Sequence, residues 1–205
     1  MYLKIKPMDM KGAITMVTAN NTLLLLLVAS SGFFDLKERK IPNKITFTGI
    51  LIGILFNIIT GGGIGLLQSL LGMFAGLAIF FLPFAMGGMG AGDVKLMGAI
   101  GALMGWQFSL MTAVYSALVG GVMVLGYLLF KGTLRDTLKK MIFSLFTILL
   151  NFANRLGYNE YTYRAQEKFQ KNGNTYQKVY IPYGVAIAGG AVLVLVAYQQ
   201  GIHIF

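Results

Sequence analysis

The sequence of 205 residues contains no cysteine, a single histidine and only seven acidic residues. Without cysteine, the chain can form neither a disulfide nor a cysteine-ligated zinc site. The histidine, His203, lies near the far terminus, and no cluster of metal-ligating residues or competing nucleophile stands out elsewhere. We therefore expect no metal and no cofactor, so any acid–base chemistry rests on a few carboxyl groups.

Charge is scarce along the whole chain: charged residues make up 12% of it, whereas hydrophobic residues make up 56%. This apolar fraction exceeds that of most soluble domains, and several uncharged runs approach or exceed the roughly 20 residues that span a bilayer. Only helices and closed barrels satisfy their backbone groups in lipid, and continuous rather than alternating apolar runs indicate helices. The sequence therefore predicts an all-α polytopic membrane protein with one membrane-embedded domain over residues 1–205.

Six apolar segments predict six transmembrane helices, which cover residues 12–34, 45–60, 66–84, 93–105, 108–130 and 181–199. The three glycines at 61–63 indicate a turn between the second and third of them. The 35 uncharged residues from Leu96 to Phe130 are too many for one span, so we divide them near Trp106.

A basic segment, residues 131–180, predicts a cytoplasmic loop. Within it, 134–156 has an apolar centre of about ten residues, which we interpret as an interfacial amphipathic helix rather than a seventh span. Six spans put fourteen of the 17 basic residues on one side, and the positive-inside rule assigns that side to the cytoplasm. The net charge of +10 is thus explained by topology in a lipid bilayer, and we expect no nucleic-acid partner.

Asp35 and Asp93 differ from the other acids because each lies at a membrane boundary, on the same predicted side. One explanation is simple: Asp93 is the N-cap of the following helix, and Asp35 is an ordinary boundary charge. The other is functional, because ionisable groups at membrane depth are costly. About 18 Å of helix separate Asp93 from Gly105, against a hydrocarbon core of about 30 Å. Either Asp93 lies below the near surface, or the turn at Trp106 falls short of the far one.

Two carboxyl groups that face each other can share one proton, because close like charges cannot both ionise. Such a pair activates water: the carboxylate accepts the water proton while the acid donates to the carbonyl under attack. Gly90 and Gly92 would let another part of the chain approach such a site closely. Lys95 either favours the ionised carboxylate or extends to the interface, and the sequence leaves both open.

Three motifs follow one another along the chain. "DLKERKIPNKIT" begins at Asp35, "GAGDVKLMGAIGALMG" contains Asp93, and "IPYGVAIAGG" contains Tyr183. In this order and spacing they resemble the type IV prepilin peptidase family, the GxGD membrane aspartic proteases, over about residues 23–130 and 180–198. The third motif departs from the family's "IPFGP" in having tyrosine for phenylalanine and valine for proline.

The resemblance implies that Asp35 and Asp93 are the catalytic residues of a membrane aspartic endopeptidase. It also implies supporting roles for the residues that match the motifs around them, which are Gly90, Gly92, Lys95, Arg39, Pro42 and Asn43. The implied reaction removes the leader peptide of type IV prepilin-like or pseudopilin-like proteins, which serve pili or protein secretion. It would take place at the cytoplasmic face of the inner or plasma membrane.

Bifunctional members of this family carry an additional domain with paired CxxC zinc motifs and also methylate the new N-terminus. Because the chain has no cysteine, it is similar to the short, peptidase-only branch, and we do not expect N-methyltransferase activity. One alternative is a transporter or assembly scaffold with two boundary acids. Another is a presenilin-like or signal-peptide-peptidase-like protease, which the absence of a "PAL" motif and the presence of Phe34 before Asp35 disfavour.

Overall fold

The structure is a computed structural model, and it describes residues 10–135, 137 and 182–200, with side chains from Thr15 onward. All regular structure in these residues is helical, which confirms the predicted all-α class. The helices are α1 (Met10–Glu38), α2 (Asn43–Ala85), α3 (Ala91–Met104), α4 (Trp106–Phe130) and α5 (Tyr183–Gln199). The predicted interfacial helix at 134–156 lies outside the described residues for almost its whole length.

The chain divides into two units, one made of Met1–Val122 with Pro182–Phe205 and the other of Met123–Ile181. The first unit holds both aspartates that the sequence singled out. In the second unit, the structure describes the last turns of α4 and the turn that follows them. There the Lys131 amino group lies 4.9 Å from the centre of the Tyr127 ring.

Three helical segments are long and apolar enough to cross a membrane: Thr15–Glu38, Asn43–Ala85 and Trp106–Phe130. The segment Tyr183–Gln199 is also apolar but shorter. Length and composition therefore support the predicted class of membrane protein, with three such helices among the described residues.

Helix α2 is broken at Gly62, whose backbone has φ 57° and ψ −137°. Positive φ values are readily adopted only by glycine. On either side of the break, the Asn57 amide and the Ser69 hydroxyl both donate to the carbonyl oxygen of Ala102, at 3.0 and 2.6 Å. An unbroken helix would separate residues 57 and 69 by about 18 Å, so α2 folds back on itself at the predicted turn.

Helix α3 lies at the centre of the first unit, and both halves of α2 pack closely against it. A Cβ atom on Gly53 would lie 2.8 Å from the Ala102 carbonyl carbon. A Cβ on Gly72 would collide with the carbonyl oxygen of Gly101, and one on Gly101 with that of Gly72. Small residues allow such close backbone approach, and the packing that it permits contributes to helix association in lipid.

The C-terminal end of α3 is stabilised by polar side chains from other helices. The last carbonyl groups of a helix lack partners within it, and α3 has only 14 residues, about 21 Å. Its Leu103 carbonyl accepts from the amides of Asn57 and Asn20, at 3.0 and 3.4 Å, beside the Ala102 carbonyl described above. These bonds hold α3 at its far end, and so they also fix the position along the helix axis of the end that carries Asp93.

The end of α1 differs from the sequence prediction, whereas the division between α3 and α4 agrees with it. Helix α1 continues to Glu38, so Asp35 lies inside its last turn and not just after it. The helix ends instead at Arg39, which has φ 52° and whose N–H donates to the Asp35 carbonyl at 3.0 Å. Helices α3 and α4 are separated only by Gly105, with φ 86°, close to the predicted division at Trp106.

Candidate active site

Asp35 lies in the last turn of α1 and is only 3% exposed. The first turn of α5 forms its surroundings, because the backbone N–H groups of Gly184 and Val185 interact with its carboxyl group. The N–H groups that begin a helix have no partner within it, and they favour a negative charge. The Oδ2 atom of Asp35 is buried and has no hydrogen-bond partner among the described atoms.

The approach of Gly184 to Asp35 is very close. A Cβ on Gly184 would lie 2.8 Å from Oδ2 and 3.0 Å from Cγ of Asp35. It would also lie 3.0 Å from Cδ1 of Ile41. Glycine is therefore required at residue 184 for α5 to meet α1 at this distance.

Asp93 lies in the first turn of α3 and is 6% exposed. Its Oδ2 accepts a hydrogen bond from the N–H of Gly90 at 3.1 Å. Gly90 is the N-cap residue, so the simple explanation of Asp93 as the N-cap is wrong, and Asp93 makes the reverse contact of a capping box. This contact holds the carboxyl group at the helix start through one oxygen.

The structure brings the two aspartates together, and their carboxyl groups interact electrostatically. Ile41, in the short connection between α1 and α2, packs at the same place. Ile41 lies against Gly92 of α3, because a Cβ on Gly92 would be 3.1 Å from the Cβ of Ile41. It also lies against Gly184 of α5. Three elements thus converge on a buried isoleucine beside the pair.

Tyr183 is the neighbour of Asp93 on the side of α5, and its phenol interacts electrostatically with that carboxyl group. Its ring lies 6.1 Å from that of Phe80, and a Cβ on Gly120 would lie 2.9 Å from its Cε2. Consecutive residues at the start of α5, Tyr183 and Gly184, therefore approach Asp93 and Asp35 respectively.

Lys95 lies beside the pair but makes a different contact. Its amino group donates to the side-chain oxygen of Asn43 at 2.9 Å and lies 5.3 Å from the centre of the Phe47 ring. No ion pair joins Lys95 to Asp93 in the part of the chain that the structure describes. The contact links the start of α3 to the start of α2.

The other predicted supporting residues determine the path of the chain. Arg39 ends α1 with its left-handed backbone. Pro42 occupies the N-cap position of α2, and its carbonyl accepts from the Ile45 N–H at 3.1 Å. Gly90 and Gly92 provide the cap and the close approach described above. Sequence reasoning did not single out Ile41 or Gly184, although both stand within the quoted motifs.

The chemistry open to this arrangement is that of paired carboxyl groups. Among residues 10–135 and 182–200 no group of three or more histidine, cysteine or acidic side chains could hold a metal ion. Two neighbouring carboxyl groups can hold one proton between them. In that state one accepts a proton from water while the other donates one to a polarised carbonyl.

When the sequence is compared with known protein families, it matches one of them. Residues 22–125 match the model of the Type IV leader peptidase family. Three similar proteins are each named "Prepilin leader peptidase/N-methyltransferase". The protein from Aeromonas hydrophila is 34% identical over 116 residues, 53% of this chain and 40% of that protein. The protein from Neisseria gonorrhoeae is 31% identical over 111 residues, with 51% and 38% covered.

The protein from Legionella pneumophila is 28% identical over 121 residues, 56% of this chain and 42% of that protein. The chain thus matches about two fifths of the length of these relatives. No solved structure matches it.

Proposed function

The chain belongs to the Type IV leader peptidase family, whose model matches residues 22–125, and on this premise we propose that it is a membrane aspartic endopeptidase. Its catalytic groups are the carboxyl groups of Asp35 and Asp93. One observation carries the proposal: of the three acids among the described residues, Asp35 and Asp93 are buried and interact with each other at the meeting of α1, α3 and α5, whereas Glu38 is exposed.

The reaction is hydrolysis of a peptide bond by a water molecule bound between the two carboxyl groups. The ionised carboxylate accepts a proton from the water, whose oxygen attacks the carbonyl carbon, and the protonated partner donates to the carbonyl oxygen. The tetrahedral intermediate then breaks its C–N bond: the carboxyl group that took the water proton protonates the departing amine, and a hydroxyl of the intermediate returns its proton to the other carboxylate as the carbonyl re-forms. The pair therefore ends each turnover with the single proton with which it began.

The substrate in this proposal is a type IV prepilin-like or pseudopilin-like protein, cut between its leader and its hydrophobic segment. The names of the relatives support this choice. We limit the proposal to the peptidase activity, because the matched family is that of the leader peptidase.

The proposed topology has six spans, with the pair at the cytoplasmic face of the inner or plasma membrane. The two halves of α2 count as two spans, and the shorter helices α3 and α5 as one each. The support is the predicted excess of basic residues on the side of Asp35 and Asp93. A reporter fused at residue 160 should read as cytoplasmic, and an extracytoplasmic reading would contradict this topology.

The deciding experiment is co-expression with a prepilin-like protein, with leader removal measured as a gel shift. Asp35→Asn and Asp93→Asn preserve the size of the side chain, and each should abolish processing at an unchanged level of protein in the membrane. Glu38→Gln is the matched control, since Glu38 is an exposed acid in the same turn of α1 as Asp35. Processing that survives either aspartate substitution would rule out the pair.

A further inference from the structure

A groove with a cavity volume of about 360 Å³ lies between α1 and the first half of α2. Leu26 and Ser30 line it on the side of α1, Lys44 and Gly49 on that of α2, and Leu103 completes it from the end of α3. Thr48 also lines the groove, and the rest of its walls are leucine and isoleucine side chains. It is therefore a mainly apolar slot between two helices that are long and apolar enough to cross a membrane.

The groove is separate from the aspartate pair. Leu26 precedes Asp35 by nine residues, which is about two and a half turns of helix, so the two side chains lie on opposite faces of α1. The exposures agree, because Leu26 is 63% exposed whereas Asp35 is 3% exposed. A peptide bound for cleavage between the aspartates would therefore not occupy this groove, and the substrate is not its expected occupant.

The groove has a cation at one end only. Lys44 is exposed in the first turn of α2, and Ile52 lines the groove eight residues further along, about 12 Å away. The Ser30 hydroxyl donates to the carbonyl groups of Leu26 and Leu27, at 2.7 and 3.0 Å, so its proton is already used. Two side-chain donors thus line the slot for a ligand, the amino group of Lys44 and the hydroxyl of Thr48, and of these two only Lys44 carries a charge.

The charge around this end favours an anion. Residues 35–44 and 93–95 contain five cations and three acids, but Asp35 and Asp93 are buried, so Glu38 is the exposed acid among them. A basic cluster at the membrane boundary attracts anionic lipid headgroups, and the slot beside it suits a hydrocarbon chain. We propose that the groove binds an anionic phospholipid, with one acyl chain between α1 and α2 and its phosphate at Lys44.

Such a lipid would act on the packing of the helix that carries Asp35. Gly49 already approaches α1 closely, because a Cβ there would lie 2.7 Å from Cδ1 of Leu27. An acyl chain fills the remaining space between the two helices and holds them at a fixed separation. The full chain should therefore unfold at a higher temperature when the lipid is bound.

The test uses the full chain purified in a neutral detergent, with phosphatidylglycerol and phosphatidylcholine added in parallel. Native mass spectrometry counts bound lipids, and the unfolding temperature measures the effect. We expect one phosphatidylglycerol to be retained per chain and to raise the unfolding temperature more than phosphatidylcholine does. Lys44→Gln should weaken phosphatidylglycerol binding about fivefold, and Lys40→Gln, an exposed control that does not line the groove, should leave it unchanged.

A second pair of variants tests the slot itself. Thr48→Trp places a large side chain in the groove from an exposed position, and Leu51→Trp places it on an exposed position outside the groove. Thr48→Trp should abolish binding of both lipids, and Leu51→Trp should abolish neither. Equal losses in Lys44→Gln and Lys40→Gln, or equal binding of the two lipids, would show that no specific headgroup site exists.

Other occupants would appear as competition. Release of phosphatidylglycerol by a peptide copy of a prepilin hydrophobic segment would assign the groove to the substrate, and release on self-association at higher protein concentration would assign it to a second copy. Either result would overturn the proposal. Lipid binding should persist in Asp35→Asn, so failure of the proposed peptidase function would not affect this test.

Discussion

Gly184→Ala is the substitution for which the structure gives the sharpest expectation. The new Cβ would lie 2.8 Å from Oδ2 of Asp35 and 3.0 Å from Cδ1 of Ile41. The preferred separation of non-bonded heavy atoms is about 3.5–4.0 Å. Because Asp35 is buried and Ile41 blocks the other side, the carboxyl group must move by roughly 0.7–1 Å.

A shift of this size acts on catalysis more than on folding. A misplacement of about 1 Å at a catalytic group can reduce the rate about 100-fold, and we expect such a reduction in leader removal. Residue 184 is in a helix, where alanine is favoured over glycine by about 1 kcal/mol. This gain offsets part of the cost of overpacking, which is about 1–3 kcal/mol, so the variant should still fold.

Gly189→Ala is the matched control in the same helix, because its Cβ would lie 3.4 Å from Cγ1 of Val119, an ordinary contact. The assay is the initial rate of leader removal in membranes, with the unfolding temperature of each purified variant measured alongside. A parental rate in Gly184→Ala would refute the argument that Asp35 works in the position described. Equal losses in both variants would point to the packing of α5 rather than to the carboxyl group.

Gly101→Ala should lower the free energy of unfolding by about 1–3 kcal/mol or more, because its Cβ would collide with the backbone of α2. Gly61→Ala, which has open space around its Cβ, should leave the free energy of unfolding unchanged. Equal unfolding temperatures of the two variants would contradict this prediction. Asn57→Ala should cost about 0.5–1.5 kcal/mol, because the Ala102 and Leu103 carbonyl groups at the end of α3 each lose one of two side-chain donors. Asn57→Asp should not rescue it, since an ionised carboxylate cannot donate, and rescue would be evidence against the capping role. Lys95→Met removes the exposed hydrogen bond to Asn43. It should lower the free energy of unfolding by about 0.5–1.5 kcal/mol and should retain leader removal. A loss of cleavage would mean that the charge of Lys95 acts on the aspartates.

Scarcity of charge was the most informative property of the sequence. In a chain with so few acids, two carboxyl groups next to apolar runs attract attention, and the structure brings both into one buried site. The all-helical class followed from the same apolar runs. The family predicted from the three motifs is confirmed by the match over residues 22–125.

Local details of the site could not be read from composition. Asp35 was expected after the end of its helix, but a run of charged residues does not end a helix, and α1 continues to Glu38. An N-cap was one of the two explanations offered for Asp93, but Gly90 takes that position. Aspartate suits both the N-cap position and the first turn of a helix. The sequence alone therefore cannot tell whether α3 begins at Asp93 or three residues before it.

The role of Ile41 and Gly184 depends on tertiary packing. Neither residue has chemistry of its own, and their importance comes from the distance at which α3 and α5 pass the end of α1. That distance is set by contacts between segments far apart in the sequence. The motifs contained both residues, but only the structure explains why these residues are needed.

The fixed far end of α3 has a consequence for how the protein can vary. Asp93 is held at the start of this helix by its bond to Gly90, and the other end is bonded to Asn57 and Ser69. Inserting or deleting one residue between these points would turn the aspartate by about 100° and shift it by about 1.5 Å. Replacing this helix with the corresponding helix of a related protein should therefore preserve the position of Asp93 only when the two segments have equal length, however much their side chains differ.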